Sequence, residues 1–212
     1  MNRLHWSPRS PYVRKVMVAL HEKGIADQVE TVRTLADPIF PPESFFPVNP
    51  LVKIPTLERE GEPVLVDSRV IIEWADQQAG GAVTLLPSDP EVRLVALRDD
   101  AIGTGLIDIA MTRLIEAVLR PDDKRDERII ATCRKKANAV LDWLEAHVPN
   151  LEARPFDAGH LAIGVALCYL DFRFAADQWR EGRPALAAWH QGFSERPSVI
   201  ATAFRDDPRP AS

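Results

Sequence analysis

Three short stretches of this 212-residue chain combine residue types that can hold or stabilise an anion. The first is Ser7-Pro8-Arg9-Ser10-Pro11-Tyr12-Val13-Arg14-Lys15-Val16. A serine directly before a proline-led helix is a good N-cap, with Pro11 at the first helical position. The same position can do chemistry, because a helix N-terminus offers unpaired N–H groups and the positive end of the helix dipole. An anion is stabilised there, and a bound thiol would lose its proton more readily. The cap and the site use the same atoms, and both readings stand on these residues.

The second stretch is Asn49-Pro50-Leu51-Val52-Lys53-Ile54-Pro55-Thr56-Leu57. A proline inside a strand-like run belongs at a strand start or on an edge. A trans proline in a turn is the ordinary reading; a cis Pro55 would present the Ile54 backbone outward, free to pair with a peptide-like ligand. The third is Asp67-Ser68 at the mouth of a helix. As a pair they are a common cap. As a site they would grip an α-amino-carboxyl group, Asp67 taking the ammonium and Ser68 with adjacent N–H groups the carboxylate.

These stretches must be positioned by regular elements, and the first part of the chain alternates. Arg3 to Trp6 reads as a short strand. Pro11 to Lys23 is helical, with Tyr12, Val13, Val16, Met17 and Leu20 on one face and Gly24 as the stop. Gln28 to Arg33 reads as a strand. The proline-rich stretch from Asp37 to Val48 reads as loop with at most a short helix. Pro55–Leu57 and Val64–Val66 flank a Glu60-Gly61-Glu62 turn and form a hairpin, and a helix follows from Ser68 to about Gln77.

After Gly80 and Gly81 no strand pattern follows. Glu91 to about Leu119 is helical, and Arg128 to His147 is amphipathic. Leu161 to Phe174 is apolar nearly all round, the mark of a helix buried among others. Shorter helices near Ala185–Phe193 and Ser198–Phe204 close the chain. The expectation is a βαβ-ββα domain over 1–79, a linker over 80–90 and an all-helical domain over 91–212.

In this order and spacing the stretches resemble the glutathione S-transferase family. SPRSPYVRKVMVALHEKGI resembles its first strand-to-helix segment, FFPVNPLVKIPTL its cis-proline segment, and VLVDSRVIIEWAD the turn that binds the γ-glutamyl end of glutathione. FDAGHLAIGVALCYLDFRF resembles the buried central helix with its capping box. The resemblance implies a thioredoxin-like domain followed by a helical bundle. It places Ser10 where redox-type relatives carry Cys before Pro-Tyr or Pro-Phe, and where serine-type relatives carry the activating hydroxyl. Ser7 is the rival for that role. Lys53, Ile54, Pro55, Asp67 and Ser68 would hold glutathione, with Pro55 cis. A second, mostly apolar electrophile would meet walls drawn from Trp6, Pro8, Arg9, Leu106, Ile107, Met111 and Tyr169. Glutathione is then the co-substrate, and a detoxifying transferase working as a cytoplasmic homodimer is the expectation. The alternatives are a glutathione-dependent dehalogenase, isomerase or peroxidase, or a binding or regulatory protein that keeps the scaffold without turnover.

Two positions depart from the family pattern. Val52 stands where the family often has glycine before the lysine. His160 stands where an acidic residue usually completes the capping box, so Asp157 is expected to cap without a reciprocal carboxylate.

Composition narrows the partners. The net charge is −5 with no basic stripe, so no nucleic-acid footprint is expected. The N-terminus lacks a signal-peptide core, and no apolar run reaches the ~20 residues of a membrane span. Five scattered histidines show no metal-ligand spacing. Cys133 and Cys168 lie within helical patterns and read as buried packing residues in a reducing compartment.

Overall fold

The computed structural model describes residues 1–78 and 83–207. Its backbone divides into two compact units, one made of Met1–Leu86 together with the residues from Pro197 onward, the other of Pro87–Arg196. The first break falls within the expected 80–90 linker; residues 79–82, with Gly80 and Gly81, lie outside the described residues. The second break is a correction, because the last helix belongs with the N-terminal unit and not with the helical one.

In the first unit β1 (Asn2–Trp6), α1 (Pro11–Glu22) and β2 (Val29–Arg33) form a parallel βαβ unit. A 3-10 turn at Glu43–Phe45 is the only regular piece described between β2 and β3. β3 (Thr56–Arg59), β4 (Glu62–Leu65) and α2 (Ser68–Gln77) follow. The mixed sheet has the order β2-β1-β3-β4, with β3 antiparallel to both β1 and β4. The hairpin turn contains Gly61 at φ 72°, and α1 ends before Gly24 at φ 67°, backbone that favours glycine.

α1 is buried beyond the expected apolar stripe, with Arg14, Lys15, Val18 and Ala19 interior as well. The reason lies 180 residues away in sequence. α7 (Pro197–Ala201) packs on α1, and Arg14 Nη2 donates to the Val199 carbonyl at 3.1 Å. The Arg14 guanidinium also lies 4.4 Å from the Phe204 ring. Ser198 Oγ donates to Glu22 at 2.5 Å, and Arg205 N–H to the Pro8 carbonyl at 3.3 Å. At the far end of α1, Lys23 donates to the Val83 carbonyl at 2.9 Å, and Asp76 accepts the Leu85 and Leu86 N–H groups at 2.8 and 2.9 Å.

The second unit is helical: α3 (Pro90–Leu114), α4 (Glu127–Glu152), α5 (Ala158–Phe174) and α6 (Pro184–Ser194). The long first helix ends in a π turn over Ile115–Leu119, where unbroken α-helix was expected. α4 begins at an Asp126 cap and runs further than its amphipathic core suggested. α3 and α5 lie so close that a Cβ on Gly103 would stand 2.5 Å from the Ala162 backbone. α5 is the expected core helix. The stretch Ala158–Asp177 is long and apolar enough by composition to cross a membrane, yet 72% of its most apolar window is buried inside the protein.

Candidate functional site

Strand register brings the three chemical stretches of the first unit to one end of the sheet. His5, near the end of β1, pairs with Thr56 at the start of β3, so the loop after Trp6 and the loop before Thr56 leave from the same edge. β4 returns antiparallel, and Leu65 pairs with Leu57, so Val66, Asp67 and Ser68 emerge at that edge too. Period-two pairing fixes this placement, because a strand cannot slip by one residue without turning its buried side chains outward.

Ser10 is the N-cap of α1. Its Oγ accepts the Val13 N–H at 3.3 Å, and Pro11 follows at N1. The Ser10 side chain is partly exposed, and its O–H has no acceptor among the described residues. Ser7 is 8% exposed, its Oγ accepts the Arg9 N–H at 3.4 Å, and its carbonyl accepts the Ser10 N–H at 3.2 Å. Ser7 thus shapes the turn, and Ser10 points a spare donor from the helix end.

The Ile54–Pro55 peptide is cis. Neither the N–H nor the C=O of Ile54 has a partner among the described residues, and the Lys53 side chain is exposed without one. The loop is built from beneath by a buried residue that carried no assigned role in the sequence. Asn49, 1% exposed, donates to the Lys53 carbonyl at 3.0 Å and to Thr56 Oγ1 at 2.9 Å, and accepts the Leu51 N–H at 2.9 Å. Thr56 Oγ1 donates to the same Lys53 carbonyl at 2.7 Å. The signal was present in the Asn49-Pro50 pair, but its meaning depends on the fold that buries it. Val52 adopts φ 48°, left-handed backbone that glycine occupies freely and a β-branched residue does not. The chain therefore keeps the loop shape and carries the strain.

Asp67 is exposed and caps α2, accepting the Arg69 N–H at 2.9 Å. Ser68 is 3% exposed by residue, and its hydroxyl has no partner among the described residues. A ligand at this edge would therefore meet, in order, a hydroxyl donor, an open peptide group, a lysine, a carboxylate and a second hydroxyl. That set suits a short peptide bearing a thiol, an internal amide and a free α-amino-carboxyl group.

The expected apolar walls fare unevenly. Trp6, Pro8 and Arg9 are partly exposed in the first unit, and Met111 is partly exposed in the second. Leu106, Ile107 and Tyr169 are 1%, 0% and 1% exposed, so they have no surface to offer a ligand. Tyr169 turns its hydroxyl onto Met111 Sδ at 3.1 Å. Among the described residues no cluster of three or more histidine, cysteine or acidic side chains could hold a metal ion.

The second helix cap of the family pattern is complete after all. Asp157 Oδ1 accepts the Gly159 and His160 N–H groups at 2.9 and 3.1 Å, and His160 Nδ1 receives the Asp157 N–H at 3.2 Å. An imidazole nitrogen does the work of the missing carboxylate. Its Nε2 lies 2.8 Å from the Leu151 carbonyl, which anchors the ring to α4. Arg154 bridges Asp157 at 2.8 Å and Asp99 of α3 at 2.5 Å. Burial would raise the Asp157 carboxyl pKa, but the hydrogen bond and charge of the Arg154 guanidinium act against it, and the group is held below the usual range. His160 is a structural residue in this arrangement.

Residues 9–78 match the family model described as glutathione S-transferase, N-terminal domain. The chain is 31% identical over 202 residues to YibF of Escherichia coli (strain K12), an uncharacterized GST-like protein, covering 94% of this chain and 97% of that one. A glutathione transferase family member from Pseudomonas fluorescens Pf-5, solved with bound glutathione, is 37% identical with a TM-score of 0.92, covering 97% of this chain and all of that one. A glutathione S-transferase from Methylobacillus flagellatus, also with glutathione bound, is 30% identical with a TM-score of 0.86, covering 96% and 99%. The match runs through both units, and this chain belongs to the glutathione S-transferase family.

Proposed function

We propose that the protein is a glutathione transferase whose Ser10 hydroxyl stabilises the glutathione thiolate for attack on an electrophilic, mostly apolar second substrate. The observation that carries this reading is the Ser10 side chain itself: its oxygen is occupied by the Val13 N–H while its O–H is left to donate, at the positive end of α1. An ordinary thiol has a pKa near ~8.5 and is mostly protonated at neutral pH. Lowering it by about two units requires roughly 2.7 kcal/mol. A hydrogen bond to a charged group supplies about 1.5–3 kcal/mol and the helix end about 0.3–1 kcal/mol, which together suffice. Serine is too weak an acid to act as a base here, so its role is donation.

The peptide frame divides by chemistry. The open Ile54 amide and carbonyl exchange backbone hydrogen bonds with the cysteinyl part of glutathione, Lys53 faces the glycine carboxylate, and Asp67 with Ser68 takes the γ-glutamyl ammonium and carboxylate. No metal takes part in this scheme, and detoxification as a cytoplasmic homodimer is the setting it suits. The glutathione complexes of the Pseudomonas and Methylobacillus relatives support the co-substrate.

The test is a panel of electrophiles with glutathione, run on the wild type and on Ser10→Ala. The expected result is a fall in kcat of about ten-fold or more, roughly 1.4 kcal/mol of transition-state stabilisation, with glutathione Kd little changed. Loss of activity in Ser7→Ala with a silent Ser10→Ala would move the role to Ser7. Glutathione binding without turnover of any electrophile would favour the non-catalytic alternative.

A further inference from the structure

We propose that Cys168 is a reactive thiolate site, separate from the glutathione frame, that forms a mixed disulfide with glutathione disulfide. The sequence suggested a buried packing residue. Cys133 is one, at 6% exposed, but Cys168 is partly exposed and not in a disulfide. Its Sγ lies 3.3 Å from Nε2 of His190 on α6, and the other ring nitrogen of His190 lies 3.2 Å from Arg180 Nη2.

The proton positions follow from what each group is able to do. A guanidinium only donates, so Arg180 must donate to His190 Nδ1, and Nδ1 must be the unprotonated nitrogen. The ring proton then sits on Nε2 and points at the sulfur. The sulfur is therefore the acceptor, the role a thiolate fills well and a thiol fills weakly. Arg180 is held in place by a two-pronged pair with Asp171, one helical turn from Cys168, at 2.6 and 2.7 Å. Asp171 also accepts the Trp179 indole N–H at 2.8 Å. Its carboxylate lies 4.0 Å from His190 Nδ1, with the Arg180 cation shared between them. The guanidinium is half exposed, and its charge is matched by the Asp171 carboxylate.

The reaction balances without another reagent. The Cys168 thiolate forms a bond to one sulfur of glutathione disulfide as that S–S bond breaks. Cys168 is oxidised to the disulfide level, one glutathione is reduced and leaves as thiolate, and solvent supplies its proton. A lowered thiol pKa raises the thiolate fraction but lowers intrinsic nucleophilicity, so the gain over an ordinary thiol is largest at acidic pH, where an ordinary thiol is almost fully protonated. Acidic pH is thus where the site stands apart.

The experiment incubates the full-length protein with glutathione disulfide between pH 5.5 and 8 and maps adducts by mass spectrometry. The expected result is an adduct on Cys168 and none on Cys133, with a rate that persists at acidic pH. Arg180→Gln, a surface change, should steepen the pH dependence toward that of a free thiol, and His190→Gln should do so more strongly wherever its thermal melt shows a folded protein. An adduct confined to Cys133, no adduct, or a pH profile unchanged in Arg180→Gln would overturn the proposal. Glutathione disulfide serves here as a reagent, so Ser10→Ala should be modified like the wild type; the outcome at Cys168 is thus independent of whether Ser10 activates glutathione.

Discussion

Two kinds of helix N-terminus in this protein read alike in sequence and are built for opposite purposes. At α1 and α2 the caps are Ser10 and Asp67, at α5 the cap is Asp157, and each accepts a backbone N–H from its own first turn. Around Asp157 the polar groups are turned inward: both cap N–H groups, the His160 ring and the Arg154 bridge to Asp99 are joined in one buried network. At the sheet edge the Ser10 O–H is left to donate, and the Ser68 hydroxyl, the Ile54 peptide and Lys53 are left without partners among the described residues. Buried polar groups that satisfy each other stabilise a fold, whereas groups left open on a rigid frame are ready to meet a ligand.

The largest expected effect tests the closed network. Asp157→Ala removes the cap and strands the Arg154 and His160 groups that faced it, and should cost about 3 kcal/mol. That corresponds to a fall of roughly 6–12 °C in the melting midpoint for a chain of this size. A loss under 1 kcal/mol would put the two termini in the same class. The same carboxyl gives a pH signature. Its pKa is lowered in the folded protein, so the stability it contributes is fully present above the unfolded value near ~3.9 and is lost as pH falls through the lower folded value. Stability measured by denaturant between pH 5 and pH 3 should therefore drop on acidification, and less steeply in Asp157→Asn.

The open terminus should behave otherwise. Asp67→Ala should raise the glutathione Kd by about ten-fold, the worth of one partly solvated charged contact, while costing about 1 kcal/mol or less of stability. Calorimetry that finds an unchanged Kd would remove Asp67 from the frame. The smallest effect concerns Val52. Relief of left-handed backbone should return about 1–2 kcal/mol in Val52→Gly, nearly cancelled by the loss of a buried valine side chain worth about 1.5–2 kcal/mol. Val52→Ala keeps the backbone strain and loses most of the packing, so it should be the less stable of the two. The reverse order in urea unfolding would show that Val52 is not strained.

Much of this was legible from residue order. The Ser10-Pro11 cap, the Gly61 turn, the loop held by four prolines, the hairpin and the apolar α5 all express local chemistry, in which a proline, a glycine or a 3.6-residue stripe constrains its own neighbourhood. The sequence also carried the family likeness, because motif order and spacing survive where individual residues drift. The cis state of Pro55 could be named only through that likeness, since composition favours trans.

What the sequence could not decide depends on partners far along the chain. It placed the last helix in the wrong unit, because nothing local to Ser198–Phe204 reveals that Arg14 and Glu22 receive it. It treated Leu106, Ile107 and Tyr169 as walls, because helical periodicity marks an apolar face without saying whether the interior consumes it. It gave Asn49 no role and read Cys168 as packing, although one holds up the cis-proline loop and the other faces His190 across two helices. Local chemistry names the elements and their caps; only tertiary burial determines which polar groups are satisfied internally and which are left open for a ligand.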